Sequence, residues 1–442
     1  MGAARRELKR LLRHPGWFWR EHRNLVLAAG VAAVLLAIGG AALAYELLKR
    51  PADIHNEAAG FQPQKPKEEV RKRRTVTWPL YGYDRARTRY LPVKGMRPPF
   101  QKKWRYTDRP LLEFPPVVAG GRLFFVDNNG HAIALDADSG RQLWKRRIGR
   151  LNASSPAYSK GRLYIVNLVP GHVLKLDART GKVLWKRRLP GRAESSPVVV
   201  GRTLYFGCED GNLYALSTRN GNVRWATGLG GPIKAAPAYY GGVLYVGDYG
   251  GYMNAVDVDS GELKWQSDSL GQGFGTSGAF YSTPAVAFGR VYAGNNDTRV
   301  YSFDRRDGTI AWTHSTGGYA YSGPAVAKTP RTGPTVYIGS FDGNVYALNA
   351  RNGVPRWIRS AGGQVIGSLT AIGDIVYVAE FDDTSTTGFA MKGGRTVFRY
   401  PRGTYTPLVS DGRRIYLVGY SSITALQPFK YKRGLADRVE AR

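Results

Sequence analysis

Side chains that could perform acid–base or metal chemistry are few and scattered in this sequence of 442 residues. It holds one cysteine, Cys208, and six histidines, of which His131, His172 and His314 fall within the repeats described below. None of these histidines stands beside a candidate nucleophile or at a spacing typical of metal ligands. The sequence therefore predicts no catalytic residue and no metal ligand, and a single cysteine fits an exported protein that does not rely on disulfides.

The most regular polar residues belong to a repeat marked by aromatic residues at intervals of 40 to 47 residues. An Asp, Ser or Asn stands eight residues before most of these aromatics, and a glycine follows it four residues later. This spacing fits a hairpin whose polar side chain bonds its own turn while glycine takes the left-handed conformation. Turns such as residues 136–138 also suggest calcium, but they lack the glycine and glutamate spacing of a calcium loop. The predicted structural anchors are Trp104, Trp144, Trp185, Trp225, Trp265, Trp312, Trp357 and Phe398.

A period of about 40 residues is the length of a four-stranded propeller blade. The segment around Trp104 has no blade before it, and the last unit, ending near residue 428, has no Trp hairpin of its own. We therefore predict an all-β fold over residues 78–428, an eight-bladed β-propeller of four-stranded antiparallel blades. The strand around Trp104 is expected to complete the last blade and close the ring, which removes two exposed sheet edges.

Polar residues just before each blade should meet at the mouth of the central channel, which is where a propeller would place a small-molecule site. Glu194 and Lys234 fall on successive blades, so an ion pair between them is expected, with ligand contact as the alternative. Two repeats are longer than the others, through residues 271–278 and 329–334, and loop insertions are where such scaffolds acquire binding specificity. The predicted funnel mouth comprises Glu194, Lys234, Tyr281, Tyr321 and Tyr405.

The formal net charge of +31 also bears on function. If the ring closes as predicted, three consecutive outer strands carry basic runs on adjacent blades. Such a surface attracts polyanions at low salt and releases them at high salt; the alternative is an ordinary basic surface. This predicted basic sector comprises Lys103, Arg105, Lys145, Arg146, Arg147, Lys186, Arg187 and Arg188.

The motif Leu-Asp-Ala-x-Ser/Thr-Gly-x-x-x-Trp, at residues 135–144 and 176–185, resembles the repeat of the PQQ-binding-like (pyrroloquinoline quinone) β-propeller family. The resemblance spans about residues 76–428. One branch of that family contains quinoprotein dehydrogenases, which bind the quinone with calcium in the channel and in many members carry a vicinal disulfide that one cysteine cannot form. The other branch, nearest in character, contains non-catalytic BamB-like propellers that act as docking platforms. Those are tethered by a lipidated N-terminal cysteine, whereas Cys208 lies in a predicted strand.

The N-terminal region carries a different signal, because no charge interrupts residues 25–45. We predict a transmembrane helix over residues 25–48, preceded by a basic cytoplasmic segment at residues 1–24, so that the propeller is extracytoplasmic. A cleaved signal peptide is the alternative, since Ala42-Leu43-Ala44 is an acceptable cleavage site. Residues 49–77 are expected to form a flexible spacer, and residues 429–442 a basic C-terminal tail.

These observations favour a non-catalytic scaffold, anchored in the cytoplasmic membrane, that binds envelope proteins or anionic polymers without a cofactor. A PQQ-dependent oxidoreductase using PQQ and calcium is the first alternative. A ligand-sensing ectodomain is the second, and it is disfavoured by the short cytoplasmic segment. The charge would also suit nucleic acid, which an extracytoplasmic location disfavours. The sequence does not specify the oligomeric state.

Overall fold

The computed structural model describes residues 15–48, 50–63, 76–271, 277–405 and 408–429. The chain divides into two units, residues 1–51 with 272–276 and residues 52–271 with 277–442. The first unit contains a single described helix, α1 (Pro15–Leu48). The start of the predicted cytoplasmic segment and almost all of the predicted C-terminal tail lie outside the described residues.

Helix α1 is built from Ala, Leu and Val, and its section Arg23–Ala41 is long and apolar enough to cross a membrane. Alanine and leucine have high helix propensity, and 19 residues at 1.5 Å each approach the thickness of a hydrocarbon core. Leu36 is 77% exposed in this section. Such a helix near an N-terminus fits either a membrane anchor or a signal sequence.

The described part of the second unit contains 33 strands, most of them arranged as eight sheets of four antiparallel strands. Blades 1 and 2 comprise β3 (Val117–Ala119), β4 (Arg122–Val126), β5 (His131–Asp136), β6 (Gln142–Arg147), β7 (Ala157–Ser159), β8 (Arg162–Asn167), β9 (His172–Asp177) and β10 (Val183–Arg188). Blades 3 and 4 comprise β11 (Val198–Val200), β12 (Thr203–Gly207), β13 (Asn212–Ser217), β14 (Val223–Gly228), β15 (Ala238–Tyr240), β16 (Val243–Gly247), β17 (Tyr252–Asp257) and β18 (Leu263–Asp268). Blades 5 and 6 comprise β19 (Ala285–Ala287), β20 (Arg290–Gly294), β21 (Arg299–Asp304), β22 (Ile310–Ser315), β23 (Ala325–Thr329), β24 (Thr332–Gly339), β25 (Asn344–Asn349) and β26 (Pro355–Ser360). Blades 7 and 8 comprise β27 (Thr370–Ile372), β28 (Ile375–Ala379), β29 (Thr386–Ala390), β30 (Thr396–Tyr400), β31 (Leu408–Ser410), β32 (Ile415–Val418), β33 (Ser422–Pro428) and β2 (Phe100–Thr107).

The ring closes as the sequence predicted. Strand β2 pairs antiparallel with β33, with Trp104 opposite Ala425 and Thr107 opposite Ser422. The innermost strand of blade 8, β31, contacts the innermost strand of blade 1, β3. The N-terminal strand thus supplies the outer edge of the last blade, and the eight-bladed fold is confirmed.

Each tryptophan anchor joins its blade to the next one. The indole N–H of Trp144, for example, donates to the carbonyl oxygen of Ala178 at 3.2 Å. The ring also lies against Gly181, where a Cβ atom would come within 2.8 Å and where φ is +71°. Glycine is therefore required at this position for two reasons, the left-handed turn and the close approach of the indole. The carbonyl acceptors for the seven indoles are, in chain order, Ala137, Ala178, Thr218, Val258, Arg305, Ala350 and Met391.

Phe398 replaces tryptophan at the only anchor whose following blade lacks an outer hairpin. In blade 8 the two outer strands are distant in sequence, so no hairpin turn presents a carbonyl to an indole N–H. Phe398 instead packs its ring 5.4 Å from Phe100 and 5.7 Å from Tyr377. The exception in the sequence repeat is thus a consequence of how the ring closes.

Residues 52–63, part of the predicted flexible spacer, instead pair with the outer strand of blade 5. His55 forms an antiparallel bridge with Trp312 in β22, and the amide of Asn56 donates to the carbonyl of Ala311 at 2.7 Å. These bonds satisfy the free edge of an outer strand, which is why a segment without apolar periodicity is held there. The prediction of a flexible spacer is therefore wrong for residues 52–63, while residues 64–75 lie outside the described chain.

Candidate functional site

The central channel is crossed by residues 76–91, a segment that we call the plug. Its backbone carbonyls accept hydrogen bonds from amides of successive inner strands, including Tyr158 to Pro79 at 2.6 Å and Val286 to Ala86 at 2.8 Å. Blades 1, 2, 4, 5, 6, 7 and 8 each share a backbone hydrogen bond with the plug. Strand β1 (Tyr90–Leu91), at its end, pairs parallel with β27. The plug therefore lies within the channel and ties the inner strands together.

Arg87 holds the plug to blades 3 and 4 from within. Its side chain is fully buried, and its guanidinium donates to the carbonyls of Ser196 (2.8 Å), Pro197 (3.3 Å) and Pro237 (3.1 Å). It also donates to the carbonyl of Tyr81 in the plug itself. Burial and the neighbouring Arg89 cation lower the pKa of Arg87 to about 9, because desolvation and a like charge both disfavour the charged form.

Above the plug lies a small polar and aromatic funnel whose cavity volume is about 80 Å³. Tyr81 contributes to its lining from the plug, and its hydroxyl contacts that of Ser368. All five residues predicted for the funnel mouth line this cavity, so the structure brings that set together. The lining includes Tyr81, Glu113, Phe114, Glu194, Lys234, Tyr281, Tyr321 and Tyr405.

The charged residues of the funnel centre on Lys234. Its ammonium nitrogen lies 3.5 Å from Glu194 and 3.5 Å from Glu209, and 5.5 Å from the centre of the Tyr249 ring. The expected ion pair between Glu194 and Lys234 is therefore present. Burial raises the pKa values of Glu194 and Glu113, and the Lys234 ammonium opposes that rise for both. One lysine thus compensates three carboxyl groups.

Sequence reasoning missed Glu113, Glu209 and Tyr81 in this site. Glu113 precedes the first blade, and Tyr81 belongs to the plug, so neither occupies a repeat position that could be aligned with the funnel residues. Glu209 lies in the turn between β12 and β13, and the sequence gives no sign that this turn reaches Lys234. The packing of neighbouring blades around the plug brings these residues together.

Replacing Lys234 by methionine should destabilise the protein by ~1–2 kcal/mol at neutral pH, because the charged neighbours Glu194 and Glu209 lose their cation. Loss of Lys234 raises the pKa of Glu194 further. A carboxyl group whose pKa is raised in the folded state stabilises the protein at low pH and loses this contribution as the pH rises through that pKa. The loss of stability in the variant, relative to the unaltered protein, should therefore grow from about pH 4 to pH 7. Thermal midpoints across this range check the prediction, with Lys186→Met on the outer rim as the control. A deficit independent of pH would contradict it.

The residues of the basic sector lie on strands β2, β6 and β10, in the adjacent blades 8, 1 and 2. Lys103, Arg147, Lys186 and Arg188 are exposed. Lys145 is different, because its ammonium lies 2.6 Å from a carboxylate oxygen of Asp108. The sector therefore keeps most of its positive charge available to solvent, although one of its cations is neutralised.

Neither the cysteine nor the acidic turns provide a reactive centre. Burial raises the pKa of the Cys208 thiol to about 11, which keeps it protonated and unreactive. In the Asp136 turn, one carboxylate oxygen accepts hydrogen bonds from the amides of Asp138 and Ser139 and from the Ser139 hydroxyl. Among the described residues, no group of three or more His, Cys, Asp or Glu side chains is arranged to hold a metal ion.

The fold and the funnel define an eight-bladed propeller of the quinoprotein-like class. The family model described as "Outer membrane protein assembly factor BamB" matches residues 101–236, 226–360 and 322–427. The chain therefore belongs to this family of BamB-like propellers with PQQ-type repeats. A comparison with curated protein sequences found no match.

Solved structures from both branches of the fold resemble this chain. BamB from Moraxella catarrhalis has a TM-score of 0.62 and 17% identity, over 74% of this chain and 99% of that one. A europium-containing methanol dehydrogenase has a TM-score of 0.67 and 14% identity, over 80% of this chain and 91% of that one. Quinohemoprotein alcohol dehydrogenase from Comamonas testosteroni has a TM-score of 0.67 and 15% identity, over 82% of each chain. At these identities the likeness establishes the fold alone.

Proposed function

We propose that this protein is a non-catalytic scaffold of the cell envelope, anchored in the cytoplasmic membrane by α1, with its propeller on the extracytoplasmic side. Its partners would be acidic, either protein surfaces or anionic polymers, and would bind the exposed basic sector. The observation that carries this proposal is the plug, whose backbone is bonded to the inner strands and leaves the funnel a cavity of only about 80 Å³. The basic sector on the outer strands, by contrast, is exposed and open to a partner.

The residues around the funnel suit a quinone with calcium poorly. Cavities that hold a cofactor-sized ligand are usually ~300–1,000 Å³, while this one is about 80 Å³. Calcium takes six to eight oxygen ligands, but the Glu194 and Glu209 carboxylates are already engaged by Lys234. These features support a scaffold over the alternative of a PQQ-dependent oxidoreductase.

The two functions can be separated with the full chain in detergent. Addition of pyrroloquinoline quinone and calcium should produce neither cofactor absorbance on the protein nor a shift of its thermal midpoint. Saturable quinone binding that is lost in a Glu194→Gln variant would contradict the proposal and favour the oxidoreductase. The control is addition of calcium alone.

Partner binding is tested by photo-crosslinking in intact cells from a probe placed at Lys186. We expect discrete crosslinked products that diminish when Lys103, Arg147 and Arg188 are changed to glutamate. The control carries the probe at Arg219 on blade 3, outside the basic sector. The same products from both probe positions would contradict a role for the basic sector.

Membrane anchoring is tested by carbonate extraction and by protease treatment of spheroplasts. The protein should stay in the membrane fraction, retain a tag placed before Pro15, and lose its propeller to external protease. Release of a protein without the tag would show that the N-terminal segment is a cleaved signal peptide instead.

A further inference from the structure

A second basic surface is formed by blade 6, blade 7 and the segment just before β2, and we call it the blade-7 groove. Its cavity volume is about 660 Å³, within the range of ~300–1,000 Å³ typical of ligand sites. Its charged lining residues are Arg97, Arg331, Asp374, Lys392, Arg395 and Arg399. Five cations thus share this groove with one carboxylate.

Two of these cations are neutralised and three are not. Arg97 donates to a carboxylate oxygen of Asp374 at 2.8 Å, and Arg399 lies 3.5 Å from Glu380 and 3.5 Å from Asp383. Arg331, Lys392 and Arg395 are all exposed, and no carboxylate of the described chain forms an ion pair with them. A ligand would therefore meet three cations free to bind it.

One wall of the groove is the insertion that the sequence singled out at residues 329–334. Tyr337 lies 13 positions after Pro324 in blade 6, while Tyr292 lies 8 positions after Pro284 in blade 5. The extra residues lengthen the β23–β24 hairpin and place Arg331 beside the β29–β30 hairpin, which carries Lys392 and Arg395. The groove thus depends on the insertion in blade 6 and is not a feature that every repeat provides.

The groove and the funnel open on opposite faces of the ring. The funnel is lined by connections that lead into the innermost strands, whereas the groove is lined by turns between the first and second strands and between the third and fourth strands of a blade. Because neighbouring strands in a blade are antiparallel, these two sets of connections lie at opposite strand ends. The two sites can therefore be tested separately.

We propose that the blade-7 groove binds a ligand carrying several phosphate groups. Arginine guanidinium groups donate two parallel hydrogen bonds to a phosphate, and lysine adds a compact positive charge. The volume exceeds what one inorganic phosphate requires, so the fit is to a polyphosphate or to a phosphorylated headgroup with its sugar or glycerol. This proposal is independent of the proposed scaffold function, which uses the basic sector.

The test uses the full chain in neutral detergent, with sodium tripolyphosphate titrated by calorimetry. We expect saturable binding that weakens about tenfold in an Arg331→Glu, Lys392→Glu, Arg395→Glu variant. The matched control is Arg202→Glu, Arg219→Glu, Arg224→Glu, which makes the same charge change with exposed residues of blade 3 and should bind within about twofold of the unaltered protein. If the triple groove variant does not fold, Arg395→Gln takes its place, with a smaller expected loss.

A parallel titration with a short-chain cardiolipin, whose headgroup carries two phosphate groups joined by glycerol, identifies the source of the phosphate. Loss of lipid binding alone in the groove variant assigns the site to a lipid headgroup, and loss of tripolyphosphate binding alone assigns it to a soluble polyphosphate; either supports the proposal. It is overturned if neither probe binds saturably, or if the groove and blade 3 variants weaken binding equally.

Discussion

Replacing Trp312 by alanine should lower the free energy of unfolding by ~3–5 kcal/mol, the usual cost of removing a large buried aromatic side chain. Trp312 is fully buried. Its indole N–H donates to the carbonyl of Ala350 at 3.1 Å, and its ring lies against Gly353. The substitution would therefore leave a cavity between blades 5 and 6 and a buried carbonyl without its donor. Urea unfolding of the full chain in detergent, followed by far-UV circular dichroism, measures the loss.

Trp225→Ala is the matched control because Trp225 occupies the same repeat position in blade 3. Its indole makes the equivalent bond to the carbonyl of Val258, at 3.3 Å, but the side chain is only half-buried. We expect a smaller loss of about 2 kcal/mol. The difference should come from residues 52–63, which cover Trp312 on blade 5. Equal losses in the two variants would show that this covering segment contributes nothing to the anchor.

The repeat made most of the fold predictable. The spacing of the tryptophans reports a structural unit that recurs, and each indole has the same partners in the next blade. The orphan strand around Trp104 was enough to predict ring closure, because an unpaired edge strand and an incomplete last blade complement each other. Phenylalanine replaces tryptophan at position 398 for a related reason, because the blade that follows has no outer hairpin whose carbonyl could accept from an indole.

Segments outside the repeat could not be predicted in the same way. The plug has no periodicity, and its hydrogen bonds join residues that are far apart in sequence, as with Arg87 and Pro237. Residues 52–63 are polar and resemble a linker in composition, yet they pair with the edge of blade 5. In both cases many of the contacts are backbone hydrogen bonds, so they leave little pattern in the sequence.

The funnel illustrates the same division within one site. Glu194 and Lys234 occupy corresponding positions in successive repeats, and their pairing followed from that alignment. Glu113 reaches the cavity from the connection between β2 and β3, where repeat alignment gives no information. The balance of one ammonium and three carboxyl groups was therefore visible only in the structure.

Replacing Arg87 by methionine should destabilise the protein by about 3 kcal/mol, because several buried carbonyls lose the guanidinium as a hydrogen-bond donor. The carbonyls of Ser196, Pro197 and Pro237 belong to blades 3 and 4, and the carbonyl of Tyr81 belongs to the plug. Removing a buried cation recovers part of the cost, which is why we expect less than the sum of the lost bonds. Arg87→Lys should also destabilise, since an ammonium cannot reach the same acceptors as a planar guanidinium.

Arg85→Met is the matched control for this substitution. Arg85 lies two residues away in the plug, but it is exposed and donates a single bond, to the carbonyl of Val199 at 2.9 Å. The Arg85→Met substitution should lower the free energy of unfolding by about 1 kcal/mol or less. Hydrogen exchange adds a local readout, because the amides of Tyr239 and Val286 bond to plug carbonyls and should exchange faster in Arg87→Met. Equal stability of the two variants, with unchanged exchange at those amides, would mean that backbone pairing alone holds the plug in the channel.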